Sequence, residues 1–196
     1  MFSCNFRSKF ILMIALVLID IQIGLQEVAF YGTERNNPEA EKNCGRLLQF
    51  FRERQLPVFH VKHNSTNIDS PLYPHKMGNE FHPAVKPLIN EPVFEKNVNS
   101  AFIGTDLEIS LKAQNITDLV IAGLTIEHCI STSVRMASNL GFNVVLVSDA
   151  TAAFDKIGYD GNKYPADVIF HAELANLKGE FATIMDTDTL LDELDN

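Results

Sequence analysis

The sequence is short of several features that would place it quickly, and each absence excludes a class. Its three cysteines, Cys4, Cys44 and Cys129, are odd in number and scattered through 196 residues. That is no disulfide framework, and it points to a reducing, cytoplasmic setting. No Lys/Arg-rich run occurs, and 16 basic against 25 acidic residues leave a net charge of -9. This weighs against nucleic acid or an anionic membrane surface as partner; a small neutral or cationic molecule fits better. Gly123 is the only glycine in the turn after the fourth apolar run, so there is no phosphate-cradling loop. Repeats and low-complexity tracts are also missing. Arg7 and Lys9, followed by the apolar stretch 10–19, imitate a signal peptide. The stretch ends in Asp20 and Gln22 without a small-residue cleavage site, and it is too short to span a bilayer. Residues 1–12 are therefore read as an amino-terminal extension before a single domain over 13–196, whose 46% hydrophobic content supplies one substantial core.

What is present is a rhythm of short apolar runs at 14–19, 58–61, 92–95, 119–122, 144–147 and 182–185. They are nearly continuous rather than alternating, as strands covered on both faces should be. Helix-period segments lie between them. Asn37 and Pro38 make a cap and first-turn pair before a face of Ala40, Cys44, Leu47, Leu48 and Phe51. Further helices are predicted over 105–114, over 127–140 with the stripe Ile130, Val134, Ala137 and Leu140 closed by Gly141, and over 166–177 before Gly179. Alternating strands and helices with short links imply right-handed crossovers and a parallel sheet covered on both sides. The exception is the long connection 64–90, rich in Pro, His and Asn, expected to shape a pocket or an oligomer contact.

Three polar residues sit where an apolar run has just ended: Asp20, Lys96 and Cys129. Ligands of open parallel sheets bind outside the carboxyl ends of the strands, so a carboxylate, an ammonium and a thiol could meet there as a nucleophile set. Free cysteine usually packs as a small hydrophobe. Cys129, however, is placed in the first turn of a helix, where unpaired N–H groups should lower its pKa and could also hold an oxyanion. Alone, Asp20 reads equally well as a cap and Lys96 as a solvated charge. His60 and His63, three apart, should face opposite sides, and with no Asp nearby they do not form a metal pair. His128 adjoins Cys129 in sequence, but helical neighbours point apart, which argues against a Cys–His dyad.

At these residues the chain resembles the isochorismatase-like cysteine hydrolases. The resemblance rests on Leu-Ile-Asp-Ile-Gln at 18–22, Lys-Asn-Val-Asn-Ser-Ala-Phe at 96–102, Ala-Gly-Leu-Thr-Ile-Glu-His-Cys at 122–129 and Val-Ser-Asp-Ala at 147–150. It implies a three-layer αβα sandwich around a six-stranded parallel sheet in the order 3-2-1-4-5-6. It also implies a catalytic triad of Asp20, Lys96 and Cys129, and a non-proline cis peptide at Leu124–Thr125 beside an oxyanion site. Gln22, His63, Phe102 and His128 are expected in the substrate pocket. No metal or other cofactor is expected, because Val61, Lys62 and His63 stand where metal-binding relatives carry an Asp-x-His cluster. Ile126 replaces a threonine common in relatives three residues before the nucleophile. The implied activity is cleavage of a carbon–nitrogen bond in a small amide, urea-like or carbamoyl substrate through a thioester. The rivals are vinyl-ether hydrolysis of the isochorismate type and a non-catalytic binding module. A homodimer or homotetramer is expected.

Overall fold

The computed structural model describes residues 13–196, so the predicted extension over 1–12 lies outside the described residues. In chain order the elements are β1 (Ile14–Ile19), α1 (Val28–Tyr31), α2 (Ala40–Glu53), β2 (Val58–His63), β3 (Val93–Lys96), α3 (Leu107–Ala113), β4 (Asp118–Leu124), α4 (Ser131–Asn139), β5 (Asn143–Ala152), β6 (Lys156–Ile157), β7 (Lys163–Tyr164), α5 (Ala166–Leu177), β8 (Thr183–Met185) and α6 (Thr187–Asp195). Six strands form one sheet in the order β3-β2-β1-β4-β5-β8, all pairs parallel. Counted within that sheet, this is the predicted 3-2-1-4-5-6. β6 and β7 form a separate antiparallel ribbon.

The layers follow from side-chain alternation along β1. Ala15, Val17 and Ile19 join one core with Leu107 and Leu111 of α3, Val134 of α4 and Phe170 of α5. Leu16 and Leu18 join the other, with Cys44, Leu47, Leu48 and Phe51 of α2 and Leu190 of α6. A strand with both faces buried has no solvent side to keep polar, which is why these runs read as continuous. Each fully buried Leu, Ile or Phe contributes about 1.5–3 kcal/mol relative to exposure. Cys44 belongs to this packing: it is fully buried, its thiol donates to the Ala150 carbonyl at 3.2 Å, and burial pushes its pKa up.

Two helix starts differ from the sequence reading. Asn37 does not cap α2: it adopts a positive φ of 43° and its amide donates to the Ser148 and Thr151 carbonyls, tying the chain to β5. The predicted helix from 127 begins instead as a π-turn over Ile126–Ile130, and the regular α-helix starts at Ser131. Cys129 is thus in the wide turn before α4, not in the first turn of an α-helix.

Candidate active site

β1 and β4 are neighbours whose outer partners lie on opposite sides, so a crevice opens at their carboxyl ends. Asp20 stands at the end of β1 with φ 55°, its N–H held by the Val61 carbonyl at 2.9 Å. Aspartate tolerates this left-handed conformation better than most residues do. Lys96 ends β3 and is the register partner of His63, so the two side chains share a face. Cys129 enters through the turn after β4, and Gly123 near the end of that strand has φ 138°. A Cβ there would lie 1.9 Å from the Ile19 carbonyl oxygen, so only glycine lets β4 approach β1 at this level. The Leu124–Thr125 peptide is cis.

These placements bring the three predicted residues together. Lys96 Nζ donates to Asp20 Oδ2 at 2.6 Å and to Cys129 Sγ at 3.3 Å, and it lies 3.3 Å from His63 Nδ1. The Lys96 and Asp20 side chains are 0% and 1% exposed. An ion pair this deep is costly to desolvate and costly to break by removing one member. Asp20 Oδ1 has no hydrogen-bond partner among the described residues. Burial lowers the His63 pKa and Lys96 lowers it further, outweighing the pull of Asp20, which favours neutral imidazole.

The thiol departs from the sequence-based expectation of a lowered pKa. Burial pushes the Cys129 thiol well above its ordinary range, and the Asp20 charge adds to this more than Lys96 offsets. At rest the sulfur therefore carries its proton, and Sγ lies 3.9 Å from an acceptor at Asn99 Oδ1. Asp20, His63 and Cys129 also offer ligand atoms within 4.8 Å of one another. This corrects the reading that His63 lacks an aspartate neighbour. The Lys96 ammonium, in contact with all three, takes the place a divalent cation would need.

A cavity of about 350 Å³ opens beside this group, and Asp20, His63, Thr125, His128 and Cys129 are among its lining residues. Two predicted pocket residues lie elsewhere. Gln22 is fully buried and works as a strap: its amide donates to the His63 and Asn79 carbonyls and its Oε1 accepts from the His63 N–H. Phe102 packs in the core, stacked on Phe142. In their place the cavity takes Tyr31, Asn99, Glu127, Phe154 and Lys156. The long connection contributes Ser65, Asn67, Ser70 and Leu72, so its pocket-shaping role is seen. Tyr31 and Phe154 stack with ring centroids 5.0 Å apart, and burial raises the Tyr31 pKa to about 12. Asn99 and Glu127 had a signal in sequence, the first lying three residues beyond Lys96 and the second two residues before Cys129, each in the same motif. A larger hollow of about 690 Å³, lined by Ile14, Asp118, Asn143 and residues of α6, contains no thiol, histidine or basic side chain.

A doubly wound sheet with carboxylate, ammonium and thiol gathered at its switch point defines an α/β enzyme class with a prepared crevice. The chain belongs to the isochorismatase family, as the isochorismatase domain model matches residues 14–189. It is an isochorismatase-family hydrolase. The isochorismatase family protein YrdC of Bacillus subtilis is 42% identical over 179 residues, covering 91% of this chain and 95% of the relative. N-carbamoylsarcosine amidase of an Arthrobacter species is 26% identical over 170 residues, covering 78% and 60%. The crystal structure of an isochorismatase-family protein from Chromobacterium violaceum superimposes with a TM-score of 0.90 at 39% identity, covering 94% and 95% of the two chains. Among the described residues no helix is long and apolar enough to cross a membrane.

Proposed function

We propose that the chain hydrolyses a carbon–nitrogen bond in a small amide, urea-like or carbamoyl compound through a thioester on Cys129, without a metal or other cofactor. The observation that carries this reading is Lys96 Nζ bridging Asp20 and Cys129 at 2.6 and 3.3 Å beside an open cavity. Because the resting thiol is protonated, Asp20 acts as general base during attack, not before it. Sulfur adds to the substrate carbonyl as its proton passes to Asp20, and Lys96 balances the charge that develops. The oxyanion falls to the Thr125 and Cys129 N–H groups; the Thr125 N–H has no partner among the described residues. The C–N bond then breaks, and Asp20 returns the proton to the leaving amine. Water, deprotonated by Asp20, cleaves the thioester and the thiol is restored.

The Arthrobacter relative is an amidase, which supports this class. The vinyl-ether alternative asks for cations to hold an anionic substrate. Lys156, the lysine that lines the cavity, is already engaged by Glu127 at 3.2 Å, and no arginine lines it. A free thiol at the centre also suits a reducing compartment. The test is ammonia release from a panel of small amides, ureas and carbamates, with acid-quenched enzyme examined by mass spectrometry. The reading expects an acyl adduct on the peptide containing Cys129. Turnover that persists in Cys129→Ala would overturn it.

A further inference from the structure

Glu127 is a buried carboxylate on the cavity wall that the mechanism above does not use. Its side chain is 6% exposed and it lines the cavity two residues before Cys129. One oxygen is committed: Oε1 accepts from the Phe154 N–H at 3.2 Å and forms an ion pair with Lys156 Nζ at 3.2 Å. The other, Oε2, is buried without any hydrogen-bond partner among the described residues. Tyr31 lies on the same cavity wall, its ring stacked on Phe154 with centroids 5.0 Å apart. A buried carboxylate oxygen left unpaired is destabilising, and the deficit is removed when a ligand brings an N–H to it. The charges around the cavity balance, with Asp20 against Lys96 and Glu127 against Lys156. There is thus no surplus positive charge to attract an acid and no surplus negative charge to require a cation.

We propose that Glu127 determines specificity by accepting a hydrogen bond from an N–H of the substrate outside the bond that is cleaved, so that the preferred substrates are neutral, flat and rich in N–H donors. This rests on the carbon–nitrogen hydrolase reading and names its substrate class. The aromatic pair Tyr31 and Phe154 supplies a planar face for such a group, and the carboxylate fixes its orientation. A site built around a donor discriminates strongly against an analogue that lacks it, because the acceptor is then left unpaired.

The isosteric replacement Glu127→Gln tests this by inversion. The Phe154 N–H and Lys156 hold the amide oxygen where Oε1 was, which puts an NH₂ donor in the place of Oε2. Two matched ligands are N-carbamoylglycinamide, whose terminal amide donates, and N-carbamoylglycine methyl ester, whose terminus only accepts. Binding is measured by calorimetry in the inactive Cys129→Ala protein, with and without Glu127→Gln. The amide should bind about tenfold more tightly than the ester when Glu127 is present, the ratio one hydrogen bond supplies. The order should reverse with Gln. An unchanged ratio, a parallel loss of both ligands, or no binding of either by Cys129→Ala overturns the inference. Ammonia release from N-carbamoylglycinamide by wild-type enzyme reads the parent hypothesis separately. Hydrolysis without the donor preference keeps the reaction and removes the role of Glu127; preference without hydrolysis does the reverse.

Discussion

At the scale of single residues, Asp20 serves two purposes that mutation can separate. Among the described residues it is the one carboxylate paired with the buried Lys96 ammonium, and it is the proposed base for Cys129. Cys129→Ala should abolish turnover and leave the unfolding midpoint close to wild type. Asp20→Asn should abolish turnover and also lower stability by about 3–5 kcal/mol, since a buried ammonium is left without its counter-ion. Denaturant titration of both variants checks this; equal midpoints would remove the ion pair from the account of stability. Alkylation gives an independent view of the same group. Burial and Asp20 keep the thiol protonated, so iodoacetamide should label the Cys129 peptide more slowly at pH 7 than it labels free cysteine, with a rate that keeps rising above pH 9, the thiol's ordinary value. Asp20→Asn should quicken labelling at a given pH, and a fast plateau near neutrality would refute the protonated resting state. Chelation should leave activity unchanged, because Lys96 takes the position between Asp20, His63 and Cys129; stoichiometric zinc bound there in purified protein would refute that. The three central residues were legible because each follows an apolar run. Tyr31 and Phe154 were not, since they come from segments with no periodicity, and the raised pKa of Cys129 depends on enclosure that no local pattern records.

At the scale of elements, the sheet is tied to the 64–92 connection by a buried network. His60 on β2 is fully buried and lies 2.8 Å from Glu91 Oε2, which Arg52 of α2 also engages. The prediction that His60 and His63 face opposite ways therefore holds: one reaches this network and the other the cavity. Burial lowers the His60 pKa below 6.5, so the unfolded chain binds a proton there first. Burial alone would raise the Glu91 pKa, but hydrogen bonds from Arg52, the Leu88 N–H and His60 outweigh it and hold it at about 2, against 4.5 when free. Both shifts are depressions, so both contributions are present above the free values and lost as pH falls. Stability should decline first below pH 6.5 and again between pH 4.5 and about 2. Glu91→Gln should remove the second step, and an unaltered acid profile in that variant would refute the assignment. Among helices, α5 matches its predicted span of 166–177, where Pro165 precedes it and Lys178 adopts an extended backbone at its end. The start of α4 was misread because the 126–130 segment has helical periodicity whether it is wound with four or five residues to the hydrogen bond.

At the scale of the whole molecule, we propose a dimer or tetramer, and the structure changes where the argument for it rests. The long connection and the carboxyl-terminal helix leave little apolar surface for a contact: Leu72 is buried, Tyr73 and Phe81 are half-buried, and Leu190 of α6 is buried with Leu191 and Leu194 packed against the core. Met77 remains exposed, and the largest other exposures of apolar side chains among the described residues are at Ile89, Tyr159, Ile157, Ile109 and Ile68. Ile157 lies on β6 and Tyr159 in the turn between β6 and β7, a ribbon whose first residue, Lys156, lines the cavity and holds Glu127. Apolar side chains exposed on a short ribbon beside a pocket are costly in water and suit an interface that also steadies the cavity wall. Light scattering at micromolar concentration should give twice 21.9 kDa or more. The double variant Ile157→Lys with Tyr159→Lys should shift the mass toward the monomer and weaken substrate binding through Lys156 and Glu127. A wild-type mass near 21.9 kDa would refute association, and a variant that stays associated would move the interface away from the ribbon.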